Sequence, residues 1–153
     1  MNRLELKVPP VALALIMGFL MWLLSASLPS LALPLPWRTM LAFAFYVAGT
    51  VIALGGVVEF VRRKTTVNPV TPGAAAVIVS SGIYRFSRNP MYLGLLLVLI
   101  GWAVWLSNLV AFALLPLFVL YMNRFQIEPE ERALSAKFGQ SFTDYMRSVR
   151  RWV

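Results

Sequence analysis

Long apolar runs leave this chain few ways to fold. They occupy 11–28, 39–61, 91–106 and 109–123 of a 153-residue chain, separated by polar or proline-rich stretches. Hiding that much apolar surface inside a water-soluble body takes a larger interior than a chain of this length provides. With 59% hydrophobic and only 13% charged residues, the composition is also too apolar for an ordinary soluble surface. The runs are therefore expected to lie in lipid. A hydrocarbon core of about 30 Å is crossed by roughly 20 helical residues, and the two later runs, shorter than that, read as a tight helical hairpin.

The breaks between the runs are chemically distinct. Pro9-Pro10 opens the first run and Pro29 closes it, and the three prolines within Leu31 to Pro36 read as a tight external turn. Trp37 marks a membrane interface. Gly49, Gly55 and Gly56 in the second run would admit a close neighbouring helix. Of the fourteen Lys and Arg residues, all but Arg38 fall before the first run, between the second and third, or after Met122. By the positive-inside rule both termini and the 62–90 loop are then cytoplasmic. The expected architecture is all-α and polytopic: a single membrane domain of about four transmembrane helices, including a C-terminal hairpin, with the tail 124–153 as a cytoplasmic lid. The expected location is a prokaryotic cytoplasmic membrane, with the lipid bilayer as partner. The net charge of +8 belongs to short segments between apolar runs and not to one basic helix face, which argues against nucleic acid.

The chain has no Cys and no His, which excludes thiolate nucleophiles, histidine bases and Cys/His metal sites, and no metal site is expected. Two cytoplasmic segments nevertheless gather polar groups beyond what topology requires. One runs from Thr65 through Tyr92, where Tyr84, Arg85, Arg88, Asn89 and Tyr92 collect at the mouth of the third run. Its Asn89-Pro90 pair fits a helix start, with Asn as cap. The other holds Glu128, Glu130 and Glu131, three of the six acidic residues, just after Arg124 and Gln126. An acidic first helical turn begun by Pro129 would explain these carboxylates without chemistry. Further along, Ala133, Leu134, Phe138, Phe142, Tyr145, Met146 and Val149 recur in helical rhythm interrupted at Gly139. That pattern reads as an amphipathic lid whose Lys137, Arg147, Arg150 and Arg151 face anionic lipid, with Trp152 as anchor.

These segments resemble the isoprenylcysteine carboxyl methyltransferase and phospholipid methyltransferase family, through GIYRFSRNPMYLG at 82–94 and EERALSAKFGQSFTDYMRSVRRWV at 130–153. The order, the spacing and the intervening hairpin match too. The resemblance implies an S-adenosylmethionine pocket at the cytoplasmic membrane face, with S-adenosylhomocysteine as product and a lipid-like or apolar small molecule as methyl acceptor. Carried over by position, Ala76, Val77, Ile78 and Val79 would meet the cofactor through backbone. Tyr84, Asn89, Pro90, Met91 and Tyr92 would continue the pocket, Glu130 would hold a polar group of the cofactor, and Arg124 or Gln126 would face the acceptor. Arg88 and Glu131, from the same two clusters, are counted with the cofactor-binding and catalytic residues respectively. Many eukaryotic relatives carry His where this chain has Asn89; methyl transfer from a sulfonium needs alignment more than proton abstraction, and Asn still donates and accepts hydrogen bonds. Two other readings remain open: a nicotinamide-dependent membrane reductase of the sterol-reductase type, and a non-catalytic helical scaffold.

Overall fold

A computed structural model describes residues 5–26, 34–63 and 77–153. Its elements are helices α1 (Pro10–Ser25), α2 (Leu35–Arg62), α3 (Pro90–Leu106), α4 (Leu109–Tyr121), α5 (Glu128–Phe138) and α6 (Gln140–Ser148). A 3-10 turn, Gly82–Arg85, precedes α3, and a π turn, Met122–Ile127, joins α4 to α5. No strand occurs among the described residues.

Proline sets the helix starts. It stands in the first turn of α1, α2 and α3, where its missing N–H would have no partner in any case and its fixed φ suits the helix. The α3–α4 hairpin turns on two residues: Ser107 adopts a left-handed backbone (φ 52°), and the Asn108 side chain accepts a 3.0 Å bond from the Val110 N–H to start α4.

Between α2 and α3 the backbones touch. Ala42, Gly49 and Gly56 are buried along one stripe of α2, and Gly94 and Gly101 along the facing stripe of α3. A Cβ added to Gly49 would lie 2.6 Å from the Gly94 carbonyl oxygen, and one on Gly101 would lie 3.0 Å from that of Ala42. Seven-residue spacing of small residues is what permits this contact between antiparallel helices. On the other side of α3, the Trp102 indole N–H donates to the Gly18 carbonyl of α1 at 2.9 Å. The core is made by Leu13, Met21, Tyr92, Leu99, Ala103, Ala111, Phe118, Met122 and Ile127.

The outward faces are apolar. Leu15 is 70% exposed, Phe43 67%, Val51 63% and Leu120 62%, values that a water-facing surface would carry at the cost of exposed hydrocarbon. Two continuous helices, Leu35–Arg62 and Leu109–Phe138, are long and apolar enough to cross a membrane, while α1 and α3, at 16 and 17 residues, are shorter apolar helices.

Two expectations change. The second helix begins at Leu35, so Pro36 belongs to its first turn and not to an external turn. The fourth run does not end near residue 123, because the helix continues through the π turn to Phe138 in one 30-residue rod. Pro129 does stand in the first turn of α5 together with Glu128, Glu130 and Glu131, and α5 follows the π turn without a break in the rod. The helical break at Gly139 stands, with φ at +55°.

Candidate functional site

The polar residues of both segments meet at one end of the helices, around the start of α3 and the π turn. Tyr92, on the first turn of α3, is buried and donates its hydroxyl to Glu130 Oε1 at 2.5 Å. The Gln126 amide, in the π turn, donates to the same oxygen at 2.7 Å. Oε2 of Glu130 makes no hydrogen bond among the described residues. Glu130 lies beyond the apolar stretch of its rod, which ends at Tyr121. Burial pushes its carboxyl up to about 7, against the two hydrogen bonds that favour the ionised form, and the charge on Glu131 adds to the rise. It is thus a carboxylate poised to change charge near neutral pH.

Glu131 is held quite differently. Its Oε1 accepts from Arg88 at 2.7 Å, and its Oε2 accepts from Arg151 at 2.6 Å. Arg88 also donates to the Met146 and Val149 carbonyls at 2.7 and 3.1 Å, and its backbone N–H donates to the Arg150 carbonyl at 3.0 Å. Arg88 thus fastens the end of the chain onto the start of α3, and Arg151 ties it to α5 through Glu131. The Asn89 side chain joins this clasp, donating to the Arg151 carbonyl at 2.9 Å. Asn89 stands at the N-cap position of α3, but its side chain makes no cap hydrogen bond there. Arg151 and Trp152 depart from their expected lipid-facing roles: Arg151 pairs with Glu131, and the Trp152 indole N–H donates to Asn123 Oδ1 of the π turn at 3.0 Å.

The strip before α3 docks on α2 and α6. Ser81 donates to Glu59 Oε2 at 2.7 Å, and Gly82, at φ +57°, lies so close over Glu59 that a Cβ there would collide with its carboxylate. The Tyr84 ring packs 5.4 Å from that of Phe60, and its carbonyl accepts the Tyr145 hydroxyl at 2.8 Å. Burial raises the Tyr84 hydroxyl far above its usual value and that of Tyr145 to about 12, so both are neutral donors at physiological pH.

Among the residues expected at the site, Tyr92, Gln126 and Glu130 form one contact group and Arg88, Asn89 and Glu131 a second beside it. Pro90 is buried and Met91 half-buried at the start of α3. Val79 is buried, Ile78 half-buried and Val77 exposed, whereas Ala76 lies outside the described residues. Arg124 is not brought to either group; it pairs with Glu128 at 3.0 Å on an exposed face. An open hollow of about 550 Å³ beside the clasp is lined by Glu128, Glu131, Arg132, Ser135, Met146 and Arg151. Of the expected residues only Glu131 lines it. Sequence reasoning missed Glu5, Glu59, Ser81 and Asn123. The carboxylates among them carried a signal, since an acidic residue in or beside an apolar run asks for a partner. No group of residues suited to a metal ion occurs among the described residues.

Comparison with known proteins bears on what this arrangement is for. The phospholipid methyltransferase family matches residues 37–141, more than half of the chain. A protein of Haemophilus influenzae, described as uncharacterized, is 46% identical over 63 residues, which span 41% of this chain and 100% of that protein. No solved structure matches the chain at a significant level. The matched stretch contains nearly all of α2, together with α3, the hairpin and the Tyr92–Gln126–Glu130 group, and the chain belongs to the phospholipid methyltransferase family.

Proposed function

We propose that the protein is an integral membrane methyltransferase that takes its methyl group from S-adenosylmethionine and delivers it to a lipid-like acceptor, a prenylcysteine-type carboxylate or a lipid amine. The observation that carries this reading is the Tyr92–Gln126–Glu130 group, within a chain of this family. The donor set fits the cofactor's chemistry: its ammonium and sulfonium are cationic, and Glu130 offers a largely dehydrated carboxylate whose Oε2 is open to a further donor. When bound, S-adenosylmethionine would supply an electrophilic methyl carbon, to which the acceptor's lone pair bonds as the carbon–sulfur bond breaks and S-adenosylhomocysteine leaves. Tyr92 and Gln126 orient the Glu130 carboxylate, and no proton need be taken from a carboxylate acceptor. The clasp made by Arg88, Asn89, Glu131 and Arg151 holds α6 over the site as a lid, which excludes water from the charged reactants. Apolar side chains exposed on α2 and α4 fit an acceptor that arrives from the bilayer.

Glu130→Gln tests the reading because it keeps the shape and removes the charge. A charged hydrogen bond is worth about 1.5–3 kcal/mol, so affinity for S-adenosylhomocysteine should fall roughly ten- to more than a hundredfold. Glu128→Gln, in an exposed pair with Arg124, should change it little. Calorimetry on the purified variants decides: equal affinity in Glu130→Gln and wild type would take Glu130 out of the cofactor site and leave it a structural residue.

A further inference from the structure

Pro129 sits one residue before Glu130 and has no N–H. In α-helical counting its missing partner is the Phe125 carbonyl, and that carbonyl accepts instead from the Leu6 N–H, at 3.0 Å. The donor comes from outside the helix, from the segment just ahead of α1. Leu6 holds a left-handed backbone (φ 58°) to deliver it, a conformation that a branched L residue adopts only under constraint. The preceding residue, Glu5, is buried and accepts from Arg132 of α5 at 2.9 Å. One of these contacts falls within the π turn and the other one helical turn beyond Glu128. The turn itself is marked by the Glu128 N–H reaching back to the Asn123 carbonyl, five residues earlier.

The register of this turn matters to the site. Each residue advances a helix by about 100°, so relaxation of the π turn to α geometry would swing Glu130 away from Tyr92 by about that angle. We propose that Glu5 and Leu6 form a strap that fixes the π turn and thereby sets Gln126 and Glu130 against Tyr92, making Glu5 and Leu6 positioning residues for the carboxylate that holds the cofactor. The functional part of this inference rests on reading Glu130 as that carboxylate; the structural part does not. Glu5 and Leu6 lie outside the 37–141 stretch that the family matches, whereas their partners Phe125 and Arg132 lie within it.

The test uses the full chain in lipid nanodiscs, with Glu5→Ala and Arg132→Ala made singly and together. Hydrogen exchange of the ligand-free protein is read over residues 122–131, and S-adenosylhomocysteine affinity is read across pH. Exchange in 122–131 should speed at least tenfold in either single variant, with α2 and α3 unchanged and little added by the second substitution. Affinity should drop about three- to tenfold, and the pH midpoint of binding should move, because Glu130 leaves its contacts with Tyr92 and Gln126 beside Glu131. Should Glu5→Ala not fold, Arg132→Ala, at a half-exposed side chain, carries the same comparison. Unchanged exchange over 122–131 overturns the strap. Faster exchange with unchanged affinity and pH midpoint also overturns it as a positioning element. A wild type that binds no S-adenosylhomocysteine defeats the proposed function, and the exchange result then decides by itself whether the strap holds the turn.

Discussion

Glu130 and Glu131 are adjacent in sequence and opposite in chemistry. Glu131 is held between two guanidinium groups, whereas Glu130 has only neutral donors and a raised pKa of about 7. Partition of roles between neighbouring carboxyls by their surroundings is a recurrent way to obtain one structural and one titrating acid. It predicts a pH dependence with a definite sign. Below about 7 the Glu130 carboxyl carries a proton and cannot pair with a cation, so affinity for S-adenosylhomocysteine should decline as pH falls from 8 to 6, and binding should release protons near neutrality. Tyr92→Phe removes a hydrogen bond that favours the ionised form, so the midpoint should move to higher pH. Calorimetry in buffers of different ionisation enthalpy reads both effects. Binding that is flat across this range, with no proton release, would mean that Glu130 does not meet the charged part of the ligand.

The tail elements α5 and α6 close onto the start of α3 through backbone carbonyls as much as through side chains. Deleting residues 139–153 would leave Arg88 in place without the Met146, Val149 and Arg150 carbonyls that it now binds. The truncated protein should still insert, since α1 to α4 keep their packing, but its affinity for S-adenosylhomocysteine should fall at least tenfold as water enters. Undiminished affinity would make the tail an anchor only. The helices themselves were legible in the sequence, because burial in lipid imposes uniform apolarity and prolines mark the starts. The Gly139 break and the polar Tyr92 and Glu130 clusters were legible for the same local reasons. The π turn was not, since Pro129 marks a helix start whether or not a π turn precedes it, and the bond from the Glu128 N–H back to the Asn123 carbonyl is visible only in the folded chain. Nor was the clasp: Arg88, Glu131 and Arg151 are far apart in sequence, and nothing local distinguishes a cation that pairs from one that faces lipid. Glu5 and Glu59 were passed over because their partners, Arg132 and Ser81, lie across the fold.

The ends of the molecule differ sharply in charge. Every ion pair among the described residues, from Glu5–Arg132 to Arg151–Glu131, lies at the end where α1 and α3 begin and α2 finishes or on the tail helices attached to it. The opposite end holds Arg38, whose guanidinium sits 5.2 Å from the centre of the Trp105 ring, an arrangement suited to an interface. If the basic end is cytoplasmic, the α3–α4 turn faces outward and the residues flanking α3 are on opposite sides of the membrane. The cysteine-free chain allows a direct check with single cysteines. Asn108, at the tip of the hairpin, is a poor position because it is buried and caps α4. Leu109, 67% exposed, and Phe86, 74% exposed, report better from the two ends of α3. In intact cells an impermeant maleimide should react with Leu109→Cys and spare Phe86→Cys, and inverted membrane vesicles should reverse the pattern. Reaction of both from the same side would mean that α3 does not cross. The hairpin would then have to lie in one leaflet, and the Tyr92–Gln126–Glu130 group would lose its place at the cytoplasmic face.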